Sequence, residues 1–320
     1  MRKNARVVSG IVTIDVEPDN VWENTQSRSL ENMKHLLLFH RLCQEYGVRP
    51  TYLVSWSVAS DAECTSIIET LLSNDDCEVG IHPHLWETPP LLPQDAGTRA
   101  WVGPDYPMEA LEGKLTNITD LIRSRFGVPI SHRAGRWGMD TRQIGILLRL
   151  GIEIDTSVTP GIDLSTTGAP DYTDASSAAY RLGSGSLVVP GDGRMLEVPC
   201  TVRPGWRLRG WEDVRYIRSA VRVLGFGHQW LRASPTSTVA SLEKVCAWAR
   251  ARYSHLNLMS HSSEFMPGGS PYWRTEAEVA RHLDMYRWIF SWWRDQSVVP
   301  QTLSEFSVSH RAQAVNECTL

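Results

Sequence analysis

The hydrophobic positions of this 320-residue chain alternate between two kinds of period. RVVSGIVTIDVEP, Arg6 to Pro18, is rich in Val and Ile and stops at a proline, which predicts a strand. SLENMKHLLLFHRLCQEYG, Ser29 to Gly47, has apolar residues three and four apart (Leu30, Met33, Leu36, Leu37, Leu42), with Gly47 at the C′ position. That spacing predicts an amphipathic helix. VRPTYLVSWSVA then reads as a strand, AECTSIIETLLSND as a helix and CEVGIHPH as a third strand. A βαβαβ order of this kind implies parallel strands joined by crossover helices.

The alternation continues. PMEALEGKLTNITDLIRSRFG is a predicted helix, ISHRAGRWG a short strand entering a loop, DTRQIGILLRLG a helix and IEIDTSV a strand. From about 159 to 209 the chain turns rich in Gly, Pro, Ser, Thr and Asp, with brief apolar pieces such as SLVVP and MLEVPC. A stretch this long without its own regular pattern is expected to be a functional insertion built from hairpins. Helices are predicted for WEDVRYIRSAVRVLGFG, TVASLEKVCAWARARYS and TEAEVARHLDMYRWIFSWWRDQ, a strand for LNLMSHSSE and a closing strand for VVPQTLSEFS. No linker or repeat divides the chain, so one domain over 1–320 is expected, with its core at about 8–306.

Composition narrows the function. The net charge of -4 and pI near 6.2 leave no polycationic surface for nucleic acid or anionic membranes. No stretch approaches the roughly 18 apolar residues of a membrane span. The N-terminus lacks a signal-peptide pattern. The six cysteines are scattered with no CxxC spacing, which disfavours a thiolate zinc site. A cytoplasmic protein with reduced cysteines is the expectation. The 13 tryptophans are unusual; most are expected in the core, some along a ligand site.

The candidate chemistry lies at strand ends. Side chains alternate along a strand, so Asp15 and Glu17 share one face of the first. By the same alternation His82 and His84 share a face of EVGIHPH. Two imidazoles and a carboxylate can complete three-ligand zinc coordination. HRAGRWG adds Arg133, Arg136 and Trp137, EIDTSV adds Asp155, and NLMSHSSE adds His261. In α/β barrels and open sheets the site gathers at the C-terminal strand ends, where all five patches fall.

TIDVEP, GIHPHLW, RAGRWG, IDTSV and LMSH, in that order, resemble the five motifs of the polysaccharide deacetylase family, the NodB-homology or carbohydrate esterase 4 group. The resemblance runs from about Val8 to Phe306. It implies an α/β fold, a distorted (β/α) barrel of about seven strands carrying the long insertion. It also implies a metal-dependent deacetylase that removes an N-acetyl group from a sugar or glycan. In that scheme Asp15 is the general base. Glu17, His82 and His84 hold a divalent metal, most naturally Zn2+. Arg133 fixes Asp15, and Asp155 orients His261, the general acid. Trp137 walls the site, and Trp86, Arg136 and Tyr272 bind substrate, with Trp101 a further stacking candidate. The insertion, with Trp206 and Trp211, and the segment SSEFMPGGSPYW shape the cleft. The sequence departs from the usual family pattern twice. Val16 separates the two acids, and Trp86 stands where the usual second histidine would be, leaving His84 as the available second imidazole. The other functions considered are hydrolysis of a small amide or ureide on the same barrel and a non-catalytic carbohydrate-binding barrel. An amidohydrolase-type barrel is disfavoured because its His-x-His pair sits on the first strand.

Overall fold

The computed structural model describes residues 7–183, 185–205 and 227–318, with side chains as far as 312. The helix predicted from Trp211, and Trp206 and Trp211 themselves, lie outside these residues. Seven strands run parallel, in the spatial order β11 (His255–His261), β1 (Ser9–Val16), β2 (Thr51–Val54), β3 (Glu78–Ile81), β4 (Ser131–His132), β5 (Ile154–Asp155) and β8 (Leu196–Glu197). An antiparallel pair, β6 (Tyr180–Gly183) and β7 (Ser186–Pro190), extends the far edge. The open seam between β8 and β11 is bridged where Thr201 N donates to Asn257 O (3.1 Å) and Asn257 N to Thr201 Oγ1 (2.8 Å). The sheet is thus curled into the distorted barrel that the family resemblance implies.

The predicted helices form as α1 (Asn32–Glu45), α3 (Ala62–Leu72), α4 (Met108–Phe126), α5 (Thr141–Arg149), α6 (Val239–Arg250) and α7 (Glu276–Asp295). Three predictions need correcting. The strand expected through WSVA stops at Val54, and Trp56–Ser60 forms a short helix, α2. The closing strand is only β12 (Val299–Pro300), and LSEFS opens helix α8 (Leu303–Cys318). The stretch 159–209 is not wholly an insertion, because the barrel strand β8 lies inside it and pairs with β5. A two-residue strand between turns carries too few positions for alternation to show.

Two apolar clusters hold the fold. The larger packs the outward faces of the strands, such as Val12, Ile14 and Val16, against the helices. The smaller fills the lower barrel: Ile11, Ile154, Leu196 and Val198 meet Leu303 and Phe306, so α8 plugs the end opposite the site. Above that plug the interior becomes polar, through Thr13 and Asn257 to Asp15 at the top.

His255 lies at the lower end, against Phe306 (ring centroids 5.4 Å) and the Pro199 carbonyl (3.2 Å). Burial, only partly offset by that carbonyl, pushes its pKa from 6.5 to about 4. His282, packed on Trp273, is likewise pushed down to about 4 by burial. Between those limits the unfolded chain binds protons that the folded chain excludes. Stability is therefore complete above about pH 6.5 and falls as pH drops toward 4, by about 3 kcal/mol per histidine. We expect the urea midpoint, with metal chelated, to fall steadily from about pH 7 to 4.5. A flat midpoint across that range would contradict the assignment.

Candidate metal centre and active site

β1 delivers Asp15 and Glu17 to the upper mouth of the barrel, both almost fully buried. β3 ends at Ile81, and its continuation keeps the alternation, so His82 and His84 both turn inward. His82 Nε2 lies 3.4 Å and His84 Nε2 3.0 Å from Glu17 Oε2. Glu17, His82 and His84 can each offer a ligand atom within 4.8 Å of the others, the one such group among the described residues.

The surroundings fit a cation. Glu17 Oε1 is buried without a hydrogen-bond partner. His82 Nδ1 lies 2.9 Å from the Arg133 carbonyl, which can only accept, so Nδ1 carries the proton and Nε2 keeps its lone pair. His84 Nδ1 faces Glu87 Oε1 at 3.6 Å, and Glu87 Oε2 accepts from Ser57 Oγ at 2.7 Å. Outer partners of this kind fix ring orientation at metal sites. Burial would raise the carboxyl pKa of Glu17, but His261, His82 and His84 together hold it well below the usual range. Gly135 is required here: a Cβ would come within 2.7 Å of His84 Cδ2 and 2.8 Å of the Pro83 carbonyl.

Asp15 stands beside this trio. Its Oδ1 accepts from Arg133 Nη1 (2.7 Å), and its Oδ2 lies 3.8 Å from His82 Nε2 and 3.7 Å from His261 Nε2. Burial pushes its pKa up, but Arg133, then His82 and His261, outweigh that and hold the group ionised. Arg133 is fully buried and also donates to the Thr156 carbonyl (3.0 Å) and Thr13 Oγ1 (2.6 Å). Trp137 covers its guanidinium at 5.1 Å. Arg136 and Trp137 are both left-handed (φ 56° and 60°), a costly conformation for such residues. The turn is held by Tyr172 Oη donating to the Trp137 carbonyl at 2.9 Å.

Three predicted roles are not supported. Asp155 does not reach His261. Ile154 packs in the lower barrel, so its neighbour Asp155 points to the outer face of β5. There it accepts from His132 Nδ1 and Ser157 Oγ, both at 2.7 Å. Trp86 is not a sugar platform. It is 1% exposed, stacks on His84 (4.4 Å, 18°) and donates its indole N–H to the Thr25 carbonyl. It is the wall behind His84. The face of Trp101 is likewise covered, by Arg99 at 3.9 Å. Tyr272 remains 39% exposed at the rim, beside Trp22 (5.6 Å). Arg136 reaches the carbonyls of Val21 and Trp22 (3.4 Å each) and so fixes the loop bearing Trp22.

Residues that pattern reasoning missed complete the mouth. Trp22 packs edge-on against His261 (4.5 Å), and Trp230 meets Trp137 (5.5 Å). Arg232 Nη2 lies 3.4 Å from His261 Nδ1, and Glu264 Oε1 lies 3.7 Å from it. Neither tryptophan has a periodic signal, since Trp22 sits in a turn and Trp230 in a strand of two residues, Gln229–Trp230. Glu264 was legible as the acid three residues after His261.

No family sequence model matches the chain, and no curated protein matches it by sequence. Solved structures do match. A provisionally assigned glycoside hydrolase/deacetylase from Parabacteroides distasonis aligns over 97% of this chain and 73% of its own, with TM-score 0.63 and 12% identity. A provisionally assigned polysaccharide deacetylase from Mycobacterium smegmatis aligns over 95% and 96%, with TM-score 0.52 and 15% identity. A GH57-type branching enzyme from Pyrococcus horikoshii aligns over 93% and 69%, with TM-score 0.52 and 10% identity. The fold is therefore the NodB-homology, carbohydrate esterase 4-like barrel. The neighbours' names do not share one reaction, so the reaction has to be argued from the site. No helix among the described residues is long and apolar enough to cross a membrane.

Proposed function

We propose that this protein is a metal-dependent deacetylase that hydrolyses an N-acetyl or related acyl amide on a sugar or glycan-like substrate, releasing acetate and the amine. One observation carries the reading. A carboxylate pinned by a buried arginine, Asp15, lies between the Glu17, His82 and His84 cluster and the imidazole of His261.

Glu17, His82 and His84 would hold the cation, and two imidazoles with one carboxylate suit zinc. Such an ion supplies Lewis-acid polarisation of an acyl oxygen and acidifies water. Asp15 takes the proton of the attacking water. Arg133 keeps Asp15 ionised and fixes the direction of Oδ2. His261 gives a proton from Nε2 to the departing nitrogen as the C–N bond breaks, which leaves carboxylate and amine. The rings of Trp22, Trp137, Trp230 and Tyr272 offer apolar faces to a sugar at the mouth. That aromatic rim favours a sugar over a small amide.

The test is metal analysis of the purified protein, then release of acetate or formate from N-acylated sugars and from a panel of small amides and ureides. About one bound zinc per chain and acetate from the sugars alone is the expected result. Turnover of the small amides in place of the sugars would overturn the substrate class.

A further inference from the structure

The imidazole of His261 needs a partner at Nδ1 to hold its ring and direct Nε2 toward the reacting atoms. The partner implied by the family resemblance, Asp155, is fully engaged elsewhere. Its Oδ1 takes protons from His132 Nδ1 and Ser157 Oγ (both 2.7 Å), and its Oδ2 faces Ser157 N at 3.4 Å, on the outer side of β5.

Glu264 occupies the required position. β11 ends at His261, and the single 3₁₀ turn Ser262–Phe265 brings residue 264 back beside it. The turn is pinned at both ends. Ser262 Oγ accepts from Glu17 N (3.2 Å), and Phe265 stacks on Phe39 of α1 (4.2 Å, 13°). Glu264 is 1% exposed, and both carboxylate oxygens are engaged. Oε1 accepts from Arg232 Nη2 and faces His261 Nδ1 at 3.7 Å. Oε2 accepts from Ser260 Oγ and faces His282 Nε2 at 3.9 Å. Arg232 Nη2, 3.4 Å from Nδ1, can only donate to its lone pair, whereas the Glu264 carboxylate can only accept a proton from it. The imidazolium form that gives a proton from Nε2 carries a second proton on Nδ1, and Glu264 is the group placed to accept it, while Nε2 faces Asp15.

We infer that Glu264, held by Arg232 and Ser260, is the residue that positions His261, in the place the family resemblance gives to Asp155. Arg232 has a second contact across the rim, its guanidinium lying 5.1 Å over Tyr272, so the same pair ties the acid to the substrate mouth. The catalytic part of this inference rests on the proposed role of His261 as acid. The structural part does not.

The experiment separates the two. Long-range nitrogen–proton correlation spectra of histidine-labelled full-length protein, assigned with His261→Gln, read whether each ring nitrogen of His261 carries a proton. The wild type is expected to show Nδ1–H. Glu264→Gln and Glu264→Ala are expected to lose it, and Glu264→Asp, which keeps the charge, to retain part of it. Asp155→Asn should leave the His261 nitrogens where they are. With an N-acetylated sugar, Glu264→Gln is expected to lower kcat by about 10–100-fold, with KM nearly unchanged and metal content intact. If Glu264→Gln does not fold, Arg232→Gln provides the test. It frees the carboxylate for His261 alone and should move the Nδ1–H proton downfield. A wild-type Nδ1–H signature in Glu264→Ala, a shift caused by Asp155→Asn, or an unmoved proton in Arg232→Gln would overturn the inference. If the wild type releases no acyl group from any N-acylated sugar, the deacetylase reading fails and the ring-nitrogen result alone decides the role of Glu264.

Discussion

Asp15→Asn is expected to lower kcat for acyl-amide hydrolysis by roughly 10³-fold or more while the chain still binds its metal. The substitution keeps the shape but removes the lone pair that takes the water proton. Arg133 would then be a fully buried guanidinium without its charge partner, left with neutral acceptors such as the Thr156 carbonyl, the hydroxyls of Thr13 and Thr156 and the Cys200 sulfur. Removing one partner of a buried ion pair costs about 3 kcal/mol or more, so a lower unfolding midpoint is expected too. Comparing kcat, metal content and the denaturation midpoint in one preparation separates the effects. Full activity in a folded, metal-loaded Asp15→Asn variant would refute the assignment of Asp15 as base.

His82→Ala is expected to strip the metal. His82 is presented in one tautomer by the Arg133 carbonyl and faces Glu17 Oε2 at 3.4 Å. Loss of this ligand should weaken metal binding well beyond the roughly 10–100-fold cost of losing an outer partner. It also leaves Glu17 with His84 as its one remaining imidazole partner at Oε2. The check is metal content after dialysis, together with competition against a chelator. A variant that retains stoichiometric zinc would remove His82 from the ligand set. Glu87→Gln should show only the smaller, outer-partner effect, because Glu87 touches His84 from behind.

Much of the site was legible because its geometry is local. Asp15 and Glu17 lie two apart on a strand, as do His82 and His84 at the end of another, and alternation alone puts each pair on one face. The order of strands and helices made a parallel sheet readable, and with it the gathering of strand ends on one side; the barrel came from the family resemblance. Where elements were long, as in Met108–Phe126 or Glu276–Asp295, the helical period was unambiguous. Where they were short it failed. The WSVA stretch looks strand-like by composition, yet Ser55 begins a helix there.

By itself, then, the sequence determined which candidate residues share a face, Asp15 with Glu17 and His82 with His84. The tertiary structure alone decided which residues pair. Asp155 and His261 both lie at strand ends, but a two-residue strand has no period from which to read its inward face. Packing of Ile154 into the lower barrel settles it and turns Asp155 outward. The same packing leaves the space beside His261 to Glu264, and seals Trp86 behind His84 where it cannot meet a substrate.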